Sequence, residues 1–339
     1  MTDQGLRVVF PETGRAELDS FPIPPPGPGE VLVRNEYTAI STGTERANLL
    51  RLPNTVTHRK GFPFHPGYSG SGRVQAVGES VTQVTPGDRV AVRWGGHRSH
   101  TISPIERVLR IEDDRIDSID AAFAHIASFS LLGVRKLRLE LGESAMIAGL
   151  GLLGVLALQF ARLNGAIPVL ATDPDPRRRA LALRLGATAV FDPTAPDLVR
   201  QVQSATEGQG PNTAIEVTGS ARALQQALEY VAWEGRIALL GCTRVSDVPI
   251  DFYKYVHRRG ISLIGSHTFA RAQYESSPHH WTEADDSRAF LKLLAAGRLQ
   301  VRPLISEILN PPAVPAAYRR LAEEDHPPLG FVIDWRDKD

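Results

Sequence analysis

Cys242 is the single cysteine in 339 residues, so neither a disulfide framework nor a cysteine-rich zinc lobe can form within the chain. No sign of charge predominates either. The 38 Lys and Arg residues stand against 38 Asp and Glu, and no basic block marks a nucleic-acid surface. Long apolar runs are missing as well. None approaches the ~20 residues of a membrane span, and the longest, around Met146–Phe160, is interrupted by glycines. No charged-then-apolar leader opens the chain, and internal repeats and low-complexity tracts are absent. These absences predict a soluble cytoplasmic protein that engages neither nucleic acid nor membrane. The length predicts two domains, at roughly 100–200 residues each.

What is present changes in texture along the chain. Up to Asp120, short β-type runs (Leu6–Phe10, Val31–Ala39, Gly72–Val77, Arg89–Val92) are separated by turn residues such as Pro22–Pro28 and Pro86-Gly87-Asp88. That is the pattern of an irregular antiparallel β domain. From Ala121 onward strands and helices alternate. Helices are expected over Ala121–Val134, Arg177–Leu185, Asp197–Thr206 and Ala221–Val231. Strands are expected over Ala189–Phe191, Ala214–Val217, Ile237–Leu240 and Ser262–Ile264. The alternation predicts an α/β doubly wound parallel sheet. The tail from Thr268 reads as a polar segment, one helix (Asp286–Ala296) and a last strand, Gly330–Asp334, that returns to the first domain.

The most specific stretch is residues 144–178. A short apolar run, Ala145–Ala148, meets the loop Gly149-x-Gly151-x-x-Gly154 and then a helix pattern, Leu152–Leu163. A second run, Pro168–Thr172, ends at Asp173. A lone glycine pattern arises by chance; in this order it is a dinucleotide site. Gly149 permits the sharp turn, Gly151 lets a pyrophosphate lie against the backbone, and Gly154 lets helix and sheet pack closely. Leu152 and Leu153 bring free N–H groups at the helix start, where the dipole favours a diphosphate. Asp173 is placed to accept hydrogen bonds from an adenosine ribose and to repel a 2′-phosphate, which favours NAD over NADP. Arg177, Arg178 and Arg179 keep the alternative open, because arginines there can bind that phosphate.

With both halves in view, the chain resembles the medium-chain dehydrogenase/reductase superfamily, the group of zinc alcohol dehydrogenases and quinone reductases. The resemblance rests on Pro26-Gly27-Pro28-Gly29-Glu30-Val31-Leu32-Val33, Ser41-Thr42-Gly43-Thr44-Glu45, Pro66-Gly67, Gly72-Arg73-Val74, Val77-Gly78, Pro86-Gly87-Asp88-Arg89-Val90 and the nucleotide fold. It implies a GroES-like catalytic domain (1–127 and 267–339), a Rossmann NAD-binding domain (128–266), and an active site in the cleft between them. It also implies a homodimer joined near Ile261–Ile264. The Ser-Thr-Gly-Thr-Glu string is similar to a subgroup that includes the dehydrogenase acting on hydroxyethyl bacteriochlorophyllide. The segments Phe252–Gly260 and His279–Thr282 look more like sugar and polyol dehydrogenase relatives. Nicotinamide contacts are implied at Thr218, Leu240, Gly241, Gly265 and Ser266, with Arg178 near the ribose.

The family's zinc ligands have no counterparts here. Their positions fall on Thr42, Tyr68 and about Ala127, and Zn(II) prefers thiolate, imidazole or carboxylate. His65, His97, His100 and His125 can in principle form another site, but His97 and His100, three apart in a loop, read as surface residues. The expectation is no metal. Proton handling then falls to other groups. Tyr68 stands where a ligand stood, and Thr42 and Thr44 are short donors in the same strand–turn. Glu45 with Arg46 reads as a buried pair or a proton acceptor, and the resemblance implies an orienting role for Glu45. His65 and His125 are candidate replacements for the relay histidine. Trp94, His125 and His267 are candidate substrate contacts, with aromatic core packing an equal reading for Trp94. Cys242 reads as a small buried apolar residue.

The leading expectation is a zinc-independent, NAD-dependent dehydrogenase that moves hydride between a nicotinamide and a secondary alcohol of sugar or cyclitol type. The rivals are a zinc-free NADPH quinone or enone reductase and a catalytically silent NAD-binding sensor or scaffold.

Overall fold

A computed structural model of the chain describes residues 4–246, 248–324 and 327–336. Strands β1 (Gln4–Glu12), β2 (Arg15–Pro22), β3 (Glu30–Ile40), β4 (Ser69–Val77), β5 (Arg89–Arg93), β6 (His100–Pro104) and β7 (Val108–Arg110) come first. They are followed by β8 (Ala145–Ala148), β9 (Val169–Thr172), β10 (Ala189–Phe191), β11 (Thr213–Glu216), β12 (Arg236–Leu239) and β13 (Ser262–Gly265). β14 (Glu307–Leu309) and β15 (Phe331–Asp334) lie in the tail. Residues divide into two compact units, 1–126 with 287–339, and 127–286. The sequence reading set its second boundary at 266/267, whereas 267–286 groups with the nucleotide unit. Among the described residues no helix is long and apolar enough to cross a membrane.

The first unit is GroES-like. Its sheet runs β14-β15-β3-β4-β5-β7, β6 pairs with β3, and β1 and β2 form a hairpin. The tail strand does return, with Phe331 opposite Ile40 in antiparallel register. A valine core (Val31, Val33, Val74, Val84, Val90, Val92, Val108) fills one side. A second cluster joins Phe10, Ile40, Leu49, Tyr318, Leu321, Phe331 and Trp335.

Three elements differ from the sequence reading. Thr42–Leu49 is a helix and not a strand–turn. Gly43 and Thr44 are poor helix formers, and burial of Glu45, Ala47, Asn48 and Leu49 overrides that local preference. The tail holds a second helix, Val314–Glu323. The sequence reading gave the tail one helix only; Pro315 sits in the first turn of this second one, where proline is tolerated. Val314, Ala317, Tyr318 and Leu321 are buried at the i, i+3, i+4, i+7 spacing of one helix face. The expected single helix Ala121–Val134 is two, Ser118–Ala121 and Ala124–Lys136.

The second unit is a Rossmann-type sheet, β10-β9-β8-β11-β12-β13, all parallel. Numbered within the unit, that is the order 3-2-1-4-5-6, with the chain reversing direction of growth between β8 and β11. β8, β9 and β11 are buried throughout, and the helix Leu152–Leu163 buries nearly all of its residues. Ligands of such sheets bind at the carboxyl ends of the strands flanking that switch point.

Candidate functional site

The dinucleotide half lies in the second unit. Gly149 leaves β8 at φ +103°, a conformation that strains any side chain. A Cβ on Gly154 would stand 1.9 Å from the Gly149 carbonyl oxygen, so helix and loop touch through bare backbone. A Cβ on Gly151 would meet nothing within 4 Å. Gly151 caps the helix without a side-chain hydrogen bond, leaving the Leu152 and Leu153 N–H groups uncapped by any side chain. Open space in front of uncapped donors at a helix start fits a diphosphate.

Asp173 is buried, and both its carboxylate oxygens are engaged. Oδ2 accepts the Leu150 N–H at 2.8 Å and Oδ1 the Asp175 N–H at 2.9 Å. Arg178 lies 3.9 Å from Oδ2. Arg177 pairs with Asp175 at 2.8 Å and Arg179 with Asp192 at 3.3 Å. The remaining acceptor capacity of Asp173 is what a ribose hydroxyl would use.

Glu216, at the end of β11, was not singled out from sequence. Its carboxylate accepts the Thr218 N–H at 2.7 Å, the Thr218 hydroxyl and the Gly219 N–H at 3.1 Å. Its carbonyl accepts the Leu240 and Gly241 N–H groups at 2.9 and 2.8 Å. Burial pushes its pKa up, and the hydrogen bonds from Thr218 oppose that shift. One residue therefore ties together the two loops expected to hold a nicotinamide. The signal was available: an acid closing an otherwise apolar buried strand. Gly265 gives its carbonyl to Lys136 Nζ at 2.6 Å, and Ser266 is buried, its N–H on Leu239 O at 3.1 Å.

The rest of this unit places residues less as expected. His267 is exposed, its ring 5.2 Å from Phe269. Cys242 is exposed and not a buried core residue, because the loop after β12 turns outward. Arg271 and Arg135 both pair with Asp286, at 3.1 and 2.5 Å, and Arg135 stacks on Trp281 at 4.1 Å. The segment from Arg271 to Asp286 is thereby pinned to the helix Ala124–Lys136. Burial raises the Asp286 pKa to about 6 against the pull of both guanidinium groups.

The first unit brings together Tyr68, Trp94 and His125, three of the candidates read from the sequence. Ring centroids of Tyr68 lie 5.5 Å from Trp94 and 5.5 Å from His125, and Trp94 lies 4.7 Å from His125. The Trp94 N–H donates to the Tyr68 carbonyl at 2.8 Å. Ser69 Oγ donates to Ala122 O at 2.5 Å, fixing the approach to His125. Trp94 has φ +59° and is 37% exposed. A bulky residue in that conformation costs about 1–3 kcal/mol, a strain that clusters at functional sites.

The other candidates separate. Thr42 donates its hydroxyl to Leu329 O at 3.2 Å, and Thr44 is half-buried on the same helical turn. Arg46 is not paired with Glu45; it caps the tail helix through Leu321 O and Ala322 O. Glu45 is buried instead against His97, with Nε2 3.0 Å from Oε2. That corrects the surface reading of His97. The loop folds inward because β1 pairs across it, Val8 N–H donating to His97 O at 2.9 Å. His65 is exposed, with none of the ring contacts that join Tyr68, Trp94 and His125. Partial burial of its ring and then Arg7 lower its pKa.

Residues 27–107 match the description "Alcohol dehydrogenase GroES-like domain", and 153–283 match "Zinc-binding dehydrogenase". The chain belongs to the medium-chain dehydrogenase/reductase superfamily. It is a nicotinamide-type oxidoreductase acting on CH–OH groups. An alcohol dehydrogenase of Rhizobium meliloti is 28% identical over 84% of this chain and 93% of its own length. An L-threonine 3-dehydrogenase of Pyrococcus furiosus is 28% identical over 87% and 88%. Among solved structures, a Sinorhizobium meliloti 1021 protein bound to NADP has the same fold, with a TM-score of 0.83 at 22% identity over 98% of this chain and 99% of that one.

The matched description implies zinc, and the donors of this dehydrogenase do not fit it. Thr42, Tyr68 and Ala127 are poor ligands. Among the described residues no group of three or more His, Cys, Asp or Glu is arranged to hold a metal ion.

Proposed function

We propose that this dehydrogenase uses NAD to oxidise a secondary alcohol, of polyhydroxylated sugar or cyclitol type, without zinc. The observation that carries the reading is Tyr68, buried against Trp94 and His125 at a position where zinc relatives bind metal. A nicotinamide held by Glu216-anchored loops supplies the hydride acceptor. Oxidising an alcohol also requires loss of its hydroxyl proton; the Tyr68 oxygen accepts it in the phenolate form, having first released its own proton to solvent, a role worth typically 10²–10⁴-fold in rate. The Trp94 and His125 rings pack against the Tyr68 ring and line its surroundings. NAD preference rests on Asp173, whose negative charge opposes a 2′-phosphate. β13 is an edge strand with exposed ends; an unpaired edge of this kind supports a homodimer formed strand to strand. Light scattering of the purified chain tests that assembly.

The function is tested by a coupled screen with NAD and NADP over sugars, cyclitols, aliphatic alcohols and enones. NADH formation from a polyhydroxylated alcohol is the expected outcome. Turnover confined to enones with NADPH would replace the reading with a reductase.

A further inference from the structure

Five buried side chains form one hydrogen-bonded chain beneath the Tyr68 segment. Trp335 Nε1–H donates to Thr38 Oγ1 at 2.8 Å, and Thr38 Oγ1 lies 2.8 Å from His97 Nδ1. His97 Nε2 lies 3.0 and 3.2 Å from the two Glu45 oxygens. Tyr318 donates its hydroxyl to Glu45 Oε2, and the Ser41 N–H donates to Oε1 at 2.8 Å. Burial and the Glu45 charge push the Tyr318 pKa well up, so that hydroxyl stays a donor.

The donor inventory sets the pattern of contacts. An indole N–H only donates, so Thr38 accepts from Trp335, and its hydroxyl also meets His97 Nδ1. A carboxylate only accepts, so Nε2, facing both Glu45 oxygens, is a donor. Glu45 gathers three donors in the first turn of Thr42–Leu49, where the helix dipole favours a negative charge.

The imidazole also carries weight. Gly67 has φ +94°, and a Cβ there would lie 2.5 Å from His97 N and 2.6–2.7 Å from two ring carbons. The His97 N–H donates to Pro66 O at 2.9 Å. With the Trp94–Tyr68 backbone bond, residues 66–68 are seated directly on the His97 ring and its loop.

We infer that His97 is a positioning residue for Tyr68. Its imidazole, oriented by Thr38 and Glu45, fixes the Gly67 turn that presents the tyrosine hydroxyl. The inference rests on the proposed dehydrogenase reading for its consequence in catalysis, and on the hydrogen-bond geometry alone for its structural content.

Two kinds of measurement separate these. In the intact protein, ¹⁵N-labelled histidine should show a proton on His97 Nε2, the nitrogen that faces Glu45. The ¹³Cζ signal of Tyr68, identified by its loss in Tyr68→Phe, should move in His97→Ala and Tyr318→Phe, return toward wild type in His97→Gln, and stay put in His65→Gln. On a turned-over alcohol, His97→Ala should lower kcat by about 100-fold, the scale of an ångström of misplacement, with KM little changed. A His97 Nε2 that carries no proton overturns the inference, as does a Tyr68 signal that ignores every His97 variant while the melting temperature drops. If the wild type turns over no alcohol, the dehydrogenase reading fails, and the resonance measurements still decide the role of His97.

Discussion

The Asp173 carboxylate accepts the Leu150 N–H at 2.8 Å, so the acid that ends β9 also holds the glycine loop that leaves β8. In the proposed reading, ribose recognition and loop shape thus share one side chain. Asp173→Ser removes the acceptor of two buried amides, each costing about 1–3 kcal/mol when orphaned. Denaturant unfolding should show that loss, and fluorescence titration should show NADH affinity falling more than NADPH affinity. Unchanged stability would mean that the loop is held by something else.

The same substitution at two glycines should give opposite results. Gly154→Ala places a methyl 1.9 Å from Gly149 O and should destabilise the fold by roughly 1–3 kcal/mol or more. Gly151→Ala meets nothing within 4 Å in the free protein, so its melting temperature should hold while NADH affinity falls. Calorimetry with and without cofactor distinguishes packing from binding. Full NADH affinity in Gly151→Ala would move the pyrophosphate away from this loop.

Glu216→Gln replaces one acceptor oxygen by an NH₂ group facing the Thr218 and Gly219 donors. The mismatch should cost about 1–3 kcal/mol. It should also loosen the Thr218–Gly219 loop, raising the NADH dissociation constant in isothermal titration. Wild-type affinity would remove Glu216 from the cofactor site.

Much of this was legible in the chain. β8, β9 and β10 follow apolar runs bounded by turn residues, and the glycine loop fixes their order, because local pattern and global fold agree there. Val314–Glu323 was hidden by prolines that serve as its first turn. The Glu45–His97–Tyr318 contact was hidden differently. Its members come from a helix, a loop and the tail, brought together by β15 pairing with β3, and nothing in the local pattern of any one announces the others. Glu216 was readable but overlooked.

Asp286 gives a pH signature. Its folded pKa, about 6, exceeds the roughly 3.9 of an unfolded aspartate, so the folded chain holds the proton more tightly. Its contribution is therefore favourable below about pH 4 and lost as pH rises through 6, a swing of about 3 kcal/mol. Against wild type, Asp286→Asn should gain about 2 kcal/mol of that swing between pH 4.5 and 7.5 in urea unfolding. A difference that is flat with pH would place the Asp286 pKa in the ordinary range.

The central claim, alcohol oxidation by Tyr68 without zinc, is tested most directly by metal content and turnover on the same sample. Protein treated with a strong chelator, found zinc-free by mass spectrometry, should oxidise its alcohol at the untreated rate, and Tyr68→Phe should lower kcat about 100-fold or more. Stoichiometric zinc in the active protein, with activity lost on chelation and restored by zinc, would contradict the account.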